Sequence, residues 1–142
     1  MDFDAFVRES RVPLLRFAGV LAEDVELAQD LVQEVLLRAQ ASWPRIAAAD
    51  HPYAYLRRML VNEAISWHRK WGRIEPRPTH RLDDAVSDPT DAVAVRDDLL
   101  RRLTVLPARQ KAAIVLRYLE DLSDDEIADA LGCSIATVRV HI

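Results

Sequence analysis

The sequence predicts an all-α protein, two small helical domains joined by a flexible linker, on three observations. Ala, Leu, Arg, Asp and Val dominate, while Gly supplies only 3 of the 142 residues, a composition that favours helices over strands. Apolar residues recur at intervals of three and four along most of the chain and do not alternate, which is the helical period. Residues 73–89 contain Pro76, Pro78 and Pro89, four acids and no apolar period, which marks a linker.

From Phe3 to Leu21 the apolar positions Phe6, Val7, Leu14, Leu15, Phe17 and Ala18 keep a helical spacing interrupted by Pro13, so one kinked helix or two short ones are expected. From Asp24 the series Val25, Ala28, Leu31, Val32, Val35, Leu36 and Ala39 makes the clearest helix. Glu23, Asp24 and Glu26 stand at its amino end, where the helix dipole favours acids. Pro44 is expected to stop it, residues 46–50 to form a connection, and Pro52 to open the next helix. That helix, about 52–71, can bury Leu56, Met59, Leu60, Ala64 and Trp67, while Arg58, Asn62, Ser66 or Ile65, Arg69 and Arg73 step along another side. Gly72 ends it. Beyond the linker, Asp88 and Pro89 can start a helix through Leu99, Leu100, Leu103 and Leu106, and Pro107 another with Ala112, Ala113, Val115, Leu116 and Leu119.

The last stretch carries the sharpest local signal. Ser123-Asp124-Asp125-Glu126 is a capping box, in which the Ser hydroxyl and the Glu carboxylate satisfy each other's free amides. Gly132 supplies a turn, Ser134 caps again, and Ile135 and Val138 face inward on a final helix with Thr137, Arg139 and His141 elsewhere. Helix, glycine turn and second helix make up the helix-turn-helix plan for entering a DNA major groove.

Composition excludes several classes. With 50% hydrophobic and 30% charged residues the chain is globular, and no apolar run approaches the roughly 18–20 residues of a membrane span. The start Met1-Asp2-Phe3-Asp4 is acidic where a signal peptide is basic, so a cytoplasmic protein is expected. Cys133 is the sole cysteine and His51, His68, His80 and His141 are scattered, so neither a metal nor another cofactor is expected. Cys133 is expected to be a small packed residue. Asp124, Asp125 and Glu126 are explained by capping and Asp97 and Asp98 by an exposed helix, with no phosphate loop or activated nucleophile beside them; the chain is not expected to be an enzyme.

The overall charge of −4 conceals a pattern: residues 1–50 carry −4, residues 51–81 carry +5 and residues 82–142 carry −5. A basic block between acidic blocks points to a polyanion surface in the middle of the chain. The acidic flanks would discourage DNA binding by the free chain.

Three segments, DLVQEVLLRA (30–39), PYAYLRRMLVNEAISWHRKW (52–71) and LPARQKAAIVLRYLEDLSDDEIADALGCSIATVR (106–139), resemble in order and spacing the bacterial RNA polymerase sigma factors of the extracytoplasmic function (ECF) type, most closely their SigE-like actinobacterial group. The resemblance implies region 2 of the sigma-70 family at 1–72, which holds the polymerase and melts the minus-ten element. It further implies a linker at 73–89 and a region 4 helix-turn-helix at 90–142 that reads the minus-35 element. Family members continue for a further basic turn, so region 4 is expected to be truncated at its carboxyl end.

The implied partners are core RNA polymerase, through its β′ clamp and β flap, promoter DNA and an anti-sigma factor, with no membrane; on the polymerase the chain would lie with the nucleoid. Asp30, Leu31, Gln33, Glu34 and Leu37 correspond to the polymerase-binding segment. His51 with the loop from Ala48, and Arg58, Asn62, Trp67, Arg69 and Lys70, correspond to the minus-ten segment. There cations track phosphates and rings can stack bases for about 1–3 kcal/mol each; Trp67, His68 and Trp71 supply rings, although Trp67, at helical spacing from Leu60 and Ala64, reads more readily as core. Many ECF members carry Asp four residues after the Asn, where this chain has Ser66. Ser134, Thr137, Arg139 and His141 correspond to the recognition helix, where Arg pairs with guanine and Ser or Thr with phosphate.

The alternative is a LuxR-type helix-turn-helix regulator, since TVRVHI (137–142) resembles that recognition helix too. It requires a strand-containing sensor module in front, for which residues 1–90 offer no alternating pattern.

Overall fold

The computed structural model describes residues 2–71 and 106–141, with the side chain of His141 excepted. Among these residues there are seven helices and no strand: α1 (Phe3–Ala22), α2 (Val25–Ala41), α3 (Trp43–Ala47), α4 (Pro52–Trp71), α5 (Ala108–Tyr118), α6 (Asp124–Leu131) and α7 (Ile135–His141). The expected linker at 73–89 and, apart from Leu106, the helix expected from Asp88 lie outside the described residues, as do Arg73, Asp97, Asp98 and His80.

The caps form where the sequence places them. Asp24 accepts from the amides of Glu26 and Leu27 at 2.9 and 3.4 Å and starts α2. The Ser123 capping box is complete: Glu126 N–H donates to Ser123 Oγ at 3.2 Å, and Ser123 N–H donates to Glu126 Oε1 at 3.1 Å. Gly132, with φ 65°, closes α6 while Cys133 N–H donates to the Ala128 carbonyl at 3.0 Å, a left-handed cap that glycine adopts without strain. Cys133 is half-buried against the core.

One local expectation is narrowed and two are corrected. Of the kinked helix or two short ones expected at Pro13, a single helix forms, α1, because Pro13 and Glu9 lie on the exposed side, where the carbonyl robbed of its amide partner can be hydrated. Buried Phe6, Leu14, Phe17 and Leu21 on the other side hold the rod together. Pro44 does not merely end α2: it sits in the first turn of α3, a position that needs no amide. Ile135 is 37% exposed, so Val138 alone anchors α7 from the inward pair.

α1 packs on α2, and α4 on both. Phe3 and Phe6 close on Trp43 at centroid distances of 5.5 and 5.0 Å, fixing α3 below. Leu14, Val35, Ile46, Leu56 and Leu60 are fully buried here, each stabilising the fold by about 1.5–3 kcal/mol relative to exposure. The rear helices form a second unit in which Val115, Leu116, Ile127 and Val138 are fully buried. α5 also packs on α1 and α4, and α6 on α4, so the buried residues of the two units join into one cluster.

Candidate nucleic-acid and polymerase interface

α4 separates its duties by angle. Leu56 and Leu60 are buried, whereas Arg58, Asn62 and Arg69 are exposed and fall within an arc of about 40° on the helical wheel. Lys70 is exposed one residue on, and His51 is exposed just ahead of the helix, where its carbonyl accepts from Tyr55 N–H at 3.2 Å. Arg45 Nη2 donates to Tyr55 Oη at 3.0 Å, tying α3 to α4 and framing the loop of residues 48–51. The result is a cationic stripe with an amide in its middle, suited to phosphates and one unstacked base. Trp67 is half-buried and packs against the core, edge-on to His68 at 5.3 Å; of its two readings, packing is the one displayed. Trp71 is 52% exposed at the end of α4. His68 is not on the stripe: it turns inward.

On α2, Asp30, Gln33 and Glu34 are exposed and Leu37 is 56% exposed. Leu31, at 6% exposure, lies in the core and supports this face from behind. Glu34 is held by Arg38 Nε at 3.0 Å, and the same Arg38 reaches Glu63 of α4. Beside this face a groove of about 560 Å³ opens between α1 and α2, lined by Phe3, Val7, Leu15, Gln33, Leu36 and Leu37 among others. An apolar trough edged by the amides of Gln29, Gln33 and Gln40 and by Arg11 is suited to a helical partner.

In the helix-turn-helix, Ser134 Oγ accepts from Thr137 N–H at 3.1 Å and lies 2.9 Å from Thr137 Oγ1, so both hydroxyls take part in the cap. Arg139 Nε leans on Asp124 Oδ2 at 3.4 Å while its side chain stays 72% exposed; Asp124 also pairs with Arg117. With Val138 at 0% exposure, the most outward positions of α7 are Ala136 and Val140, the latter 81% exposed. Polarity drew attention to Thr137 and Arg139, which lie on the flanks of that face; the wheel angle from Val138 would have found Ala136 and Val140.

A third set of residues has no local signal in the sequence. Lys111 of α5, 3% exposed, donates from Nζ to Glu23 Oε1 at 2.6 Å, across to the end of α1. Glu23 has φ 62°, a left-handed conformation costing about 1–2 kcal/mol in a non-glycine residue. The Lys111 ammonium is buried while the Glu23 side chain is 31% exposed, so removing Glu23 would leave a buried charge unpaired, and solvent screening keeps the cost below the roughly 3–5 kcal/mol of a fully buried pair.

Past the opposite end of α5, Arg57 of α4 approaches Glu120 at 3.9 Å, with side-chain exposures of 11% and 19%. Burial raises the Glu120 pKa against the opposing pull of Arg57. Burial, with Glu120 beside it, pushes Tyr53 up to about 12. Burial and then Lys111 lower the pKa of His68, whose ring bonds the Leu21 carbonyl and feels Glu23. Tyr53 Oη, Arg57 Nε and His68 Nε2 are buried without a hydrogen-bond partner, each at a cost of about 1–3 kcal/mol.

Two family models match the chain: Sigma-70 region 2 over residues 6–74 and Sigma-70, region 4 over residues 96–142. The chain is 40% identical to the RNA polymerase sigma-E factor of Streptomyces avermitilis over 140 residues, 98% of this chain and 78% of that one. It is 39% identical to the RNA polymerase sigma-E factor of Streptomyces antibioticus, with 98% and 77% covered. The solved structure of the sigma factor RpoE from Bartonella quintana, in complex with the anti-sigma factor NepR, superposes with a TM-score of 0.75 at 26% identity, covering 99% of this chain and 89% of that one. The chain belongs to the sigma-70 family, among the ECF-type RNA polymerase sigma factors akin to the Streptomyces sigma-E factors.

Proposed function

We infer that the chain is a sigma factor that directs core RNA polymerase to promoters and starts transcription, recognising and melting the minus-ten element and binding the minus-35 element. The observation that carries this is the pair of family matches, region 2 then region 4 on one chain, with the exposed stripe of Arg58, Asn62 and Arg69 inside the first. The regulator of LuxR type loses its support, since residues 2–71 are helical where it needs a sensor with strands. The chemistry is the polymerase's own; the chain contributes binding and position, not catalysis. No helix among the described residues is long and apolar enough to cross a membrane, in keeping with work in the cytoplasm and, on the polymerase, at the nucleoid.

Residue roles are proposed on the correspondence with the family's segments. Asp30, Gln33, Glu34 and Leu37, backed by Leu31, dock on the β′ clamp. His51, Arg58, Asn62, Arg69 and Lys70 take the minus-ten strand. Ser134, Thr137, Arg139 and His141 serve the minus-35 duplex, with the β flap behind region 4. The division is 1–72 for region 2, 73–89 for the linker and 90–142 for region 4. An anti-sigma factor is a candidate partner, because the Bartonella neighbour was solved with one.

The test is reconstitution with core polymerase on a pool of genomic fragments. New start sites sharing a minus-ten and minus-35 pattern are expected; none above the core-alone background would reject the reading. Asn62→Ala should lower strand opening and leave polymerase binding intact, whereas Gln33→Ala should do the reverse.

A further inference from the structure

One carboxylate joins α5, α6 and α7 and has no part in the roles above: Asp124. It is the first residue of α6, yet the capping of that end falls to Ser123 and Glu126. Asp125 and Glu126 also supply acid to the helix dipole without it. Its carboxylate turns sideways instead. Oδ1 is buried, takes no hydrogen bond and pairs by charge with Arg117 Nη2 of α5. Oδ2 accepts from Arg139 Nε of α7 at 3.4 Å.

The two ends of this relay differ in exposure. The side chains of Arg117 and Asp124 are 32% and 27% exposed, whereas that of Arg139 is 72% exposed. The inner pair is the fixed part and Arg139 the working end. Exposed ion pairs hold little, so the contact of Asp124 with Arg139 matters for direction more than for stability. A guanidinium is a planar fork. A carboxylate on Nε leaves the end-on pair Nη1 and Nη2 free, and among the described residues neither has an acceptor. Two parallel N–H donors are what O6 and N7 of guanine accept in a major groove. Two guanidinium groups around one carboxylate also leave the cluster cationic, as a phosphate backbone requires.

We propose that Asp124, braced by Arg117, is a positioning residue for base recognition: it holds Arg139 with Nη1 and Nη2 outward, so that this arginine meets a guanine edge and does not wander among phosphates. This rests on the sigma-factor reading, which makes α7 the helix that enters the duplex. It adds the residues that aim the arginine. Holding the side chain before contact reduces the ordering cost of binding, and the gain is realised only where both acceptors of a guanine are in place.

The test uses the full chain and duplexes that it selects from a randomised pool at low salt, where phosphate contacts are strongest. The selected sites are expected to share a guanine that Arg139→Ala no longer selects. Replacing that guanine by 7-deazaguanine, which lacks N7, should weaken wild-type binding about tenfold. Asp124→Asn keeps the shape of the side chain and removes its charge. It should cut that penalty to about twofold, while binding to scrambled duplex stays within about twofold of wild type. Asp124→Glu returns a carboxylate and should recover most of the penalty, a rescue that a merely structural role would not show in a base-specific ratio. Asp124→Ser, a second way to remove the carboxylate, decides the matter if the Asn variant fails to fold.

A selected pool without that guanine, a wild-type chain indifferent to 7-deazaguanine, or a full penalty in Asp124→Asn overturns the proposal. So does a larger penalty in the variant, which would mean that Asp124 draws the arginine away from the base. Core polymerase binding by the wild-type chain, measured in parallel, reports separately on the sigma-factor reading, because the aim of Arg139 is judged on the guanine penalty alone.

Discussion

The two working faces of this molecule are presented differently. The trough between α1 and α2 opens to solvent, with Gln33 and Leu37 on its wall and Leu37 56% exposed. The stripe on α4 stands beside an acidic helix, and its first cation already has Asp129 at 3.6 Å. The first face is apolar and open, whereas the second carries cations whose potential a neighbouring acid lowers. Under the proposed roles, polymerase would meet the former and the DNA strand the latter. Physically, an apolar groove binds through area, which neighbouring charge hardly affects, whereas phosphate binding depends on the summed local potential.

Breaking the open face should have the largest effect. Leu37→Asp puts a charge on the wall of the trough and should weaken core polymerase binding by roughly a hundredfold, a hot-spot loss, while the melting temperature stays close to wild type because the residue is exposed. A full-affinity variant in a polymerase pull-down titration would remove the trough from the docking site. Next, Arg58→Ala with Asn62→Ala should reduce promoter opening by about tenfold to a hundredfold, the worth of one phosphate contact and one base contact, with polymerase affinity unchanged. Permanganate reactivity of unpaired thymines would read it.

The seam between the faces should respond to pH. His68 faces Lys111 of α5, Glu23 and the Leu21 carbonyl at the end of α1, and Trp67 on its own helix. Its folded pKa lies below the ordinary value near 6.5, so the unfolded chain takes up the proton first. The stability it contributes is full above about pH 6.5 and is lost as pH falls below that value. Glu120, whose pKa is raised, acts in the opposite sense nearer the carboxylate range. Thermal unfolding should drop by a few degrees between pH 7 and pH 5.5, and His68→Asn should flatten that slope. An unchanged slope in the variant would show that His68 does not govern it.

The smallest effect concerns α7. Val140, 81% exposed on the outermost face, can touch a thymine methyl in the major groove. Val140→Ser should shift base preference there by about 1 kcal/mol, measurable as a change in the selected duplex sequences with overall affinity nearly constant.

Much of this was legible before any coordinates. The 3–4 spacing marked α2 and α4, Ser123 with Glu126 marked the start of α6, and Gly132 marked the turn, because each is a rule among residues within a turn or two. Helical phase put Arg58 and Asn62 on the exposed side of α4; their proposed role rests on the resemblance. Pro13 left two readings open because its effect depends on which side of α1 meets solvent, a tertiary fact. His68 was placed among the stripe's rings, although its angle on the wheel matches Arg57 and Ala64, which face the rear unit. The pairing of Lys111 with Glu23 lies 88 residues apart; nothing local announces it, and Lys111 alone reads as an exposed helix residue. The packing of the two units, which sets Asp129 beside Arg58, belongs to that long-range class.

The most direct measurement of the account is the effect of Arg58→Ala on single-strand DNA binding, taken once with the free chain and once with the chain bound to core polymerase. The account predicts a loss of several-fold or more in the polymerase-bound state and a smaller one in the free chain, where Asp129 at 3.6 Å lowers the potential at that guanidinium. An equal loss in both states would contradict it.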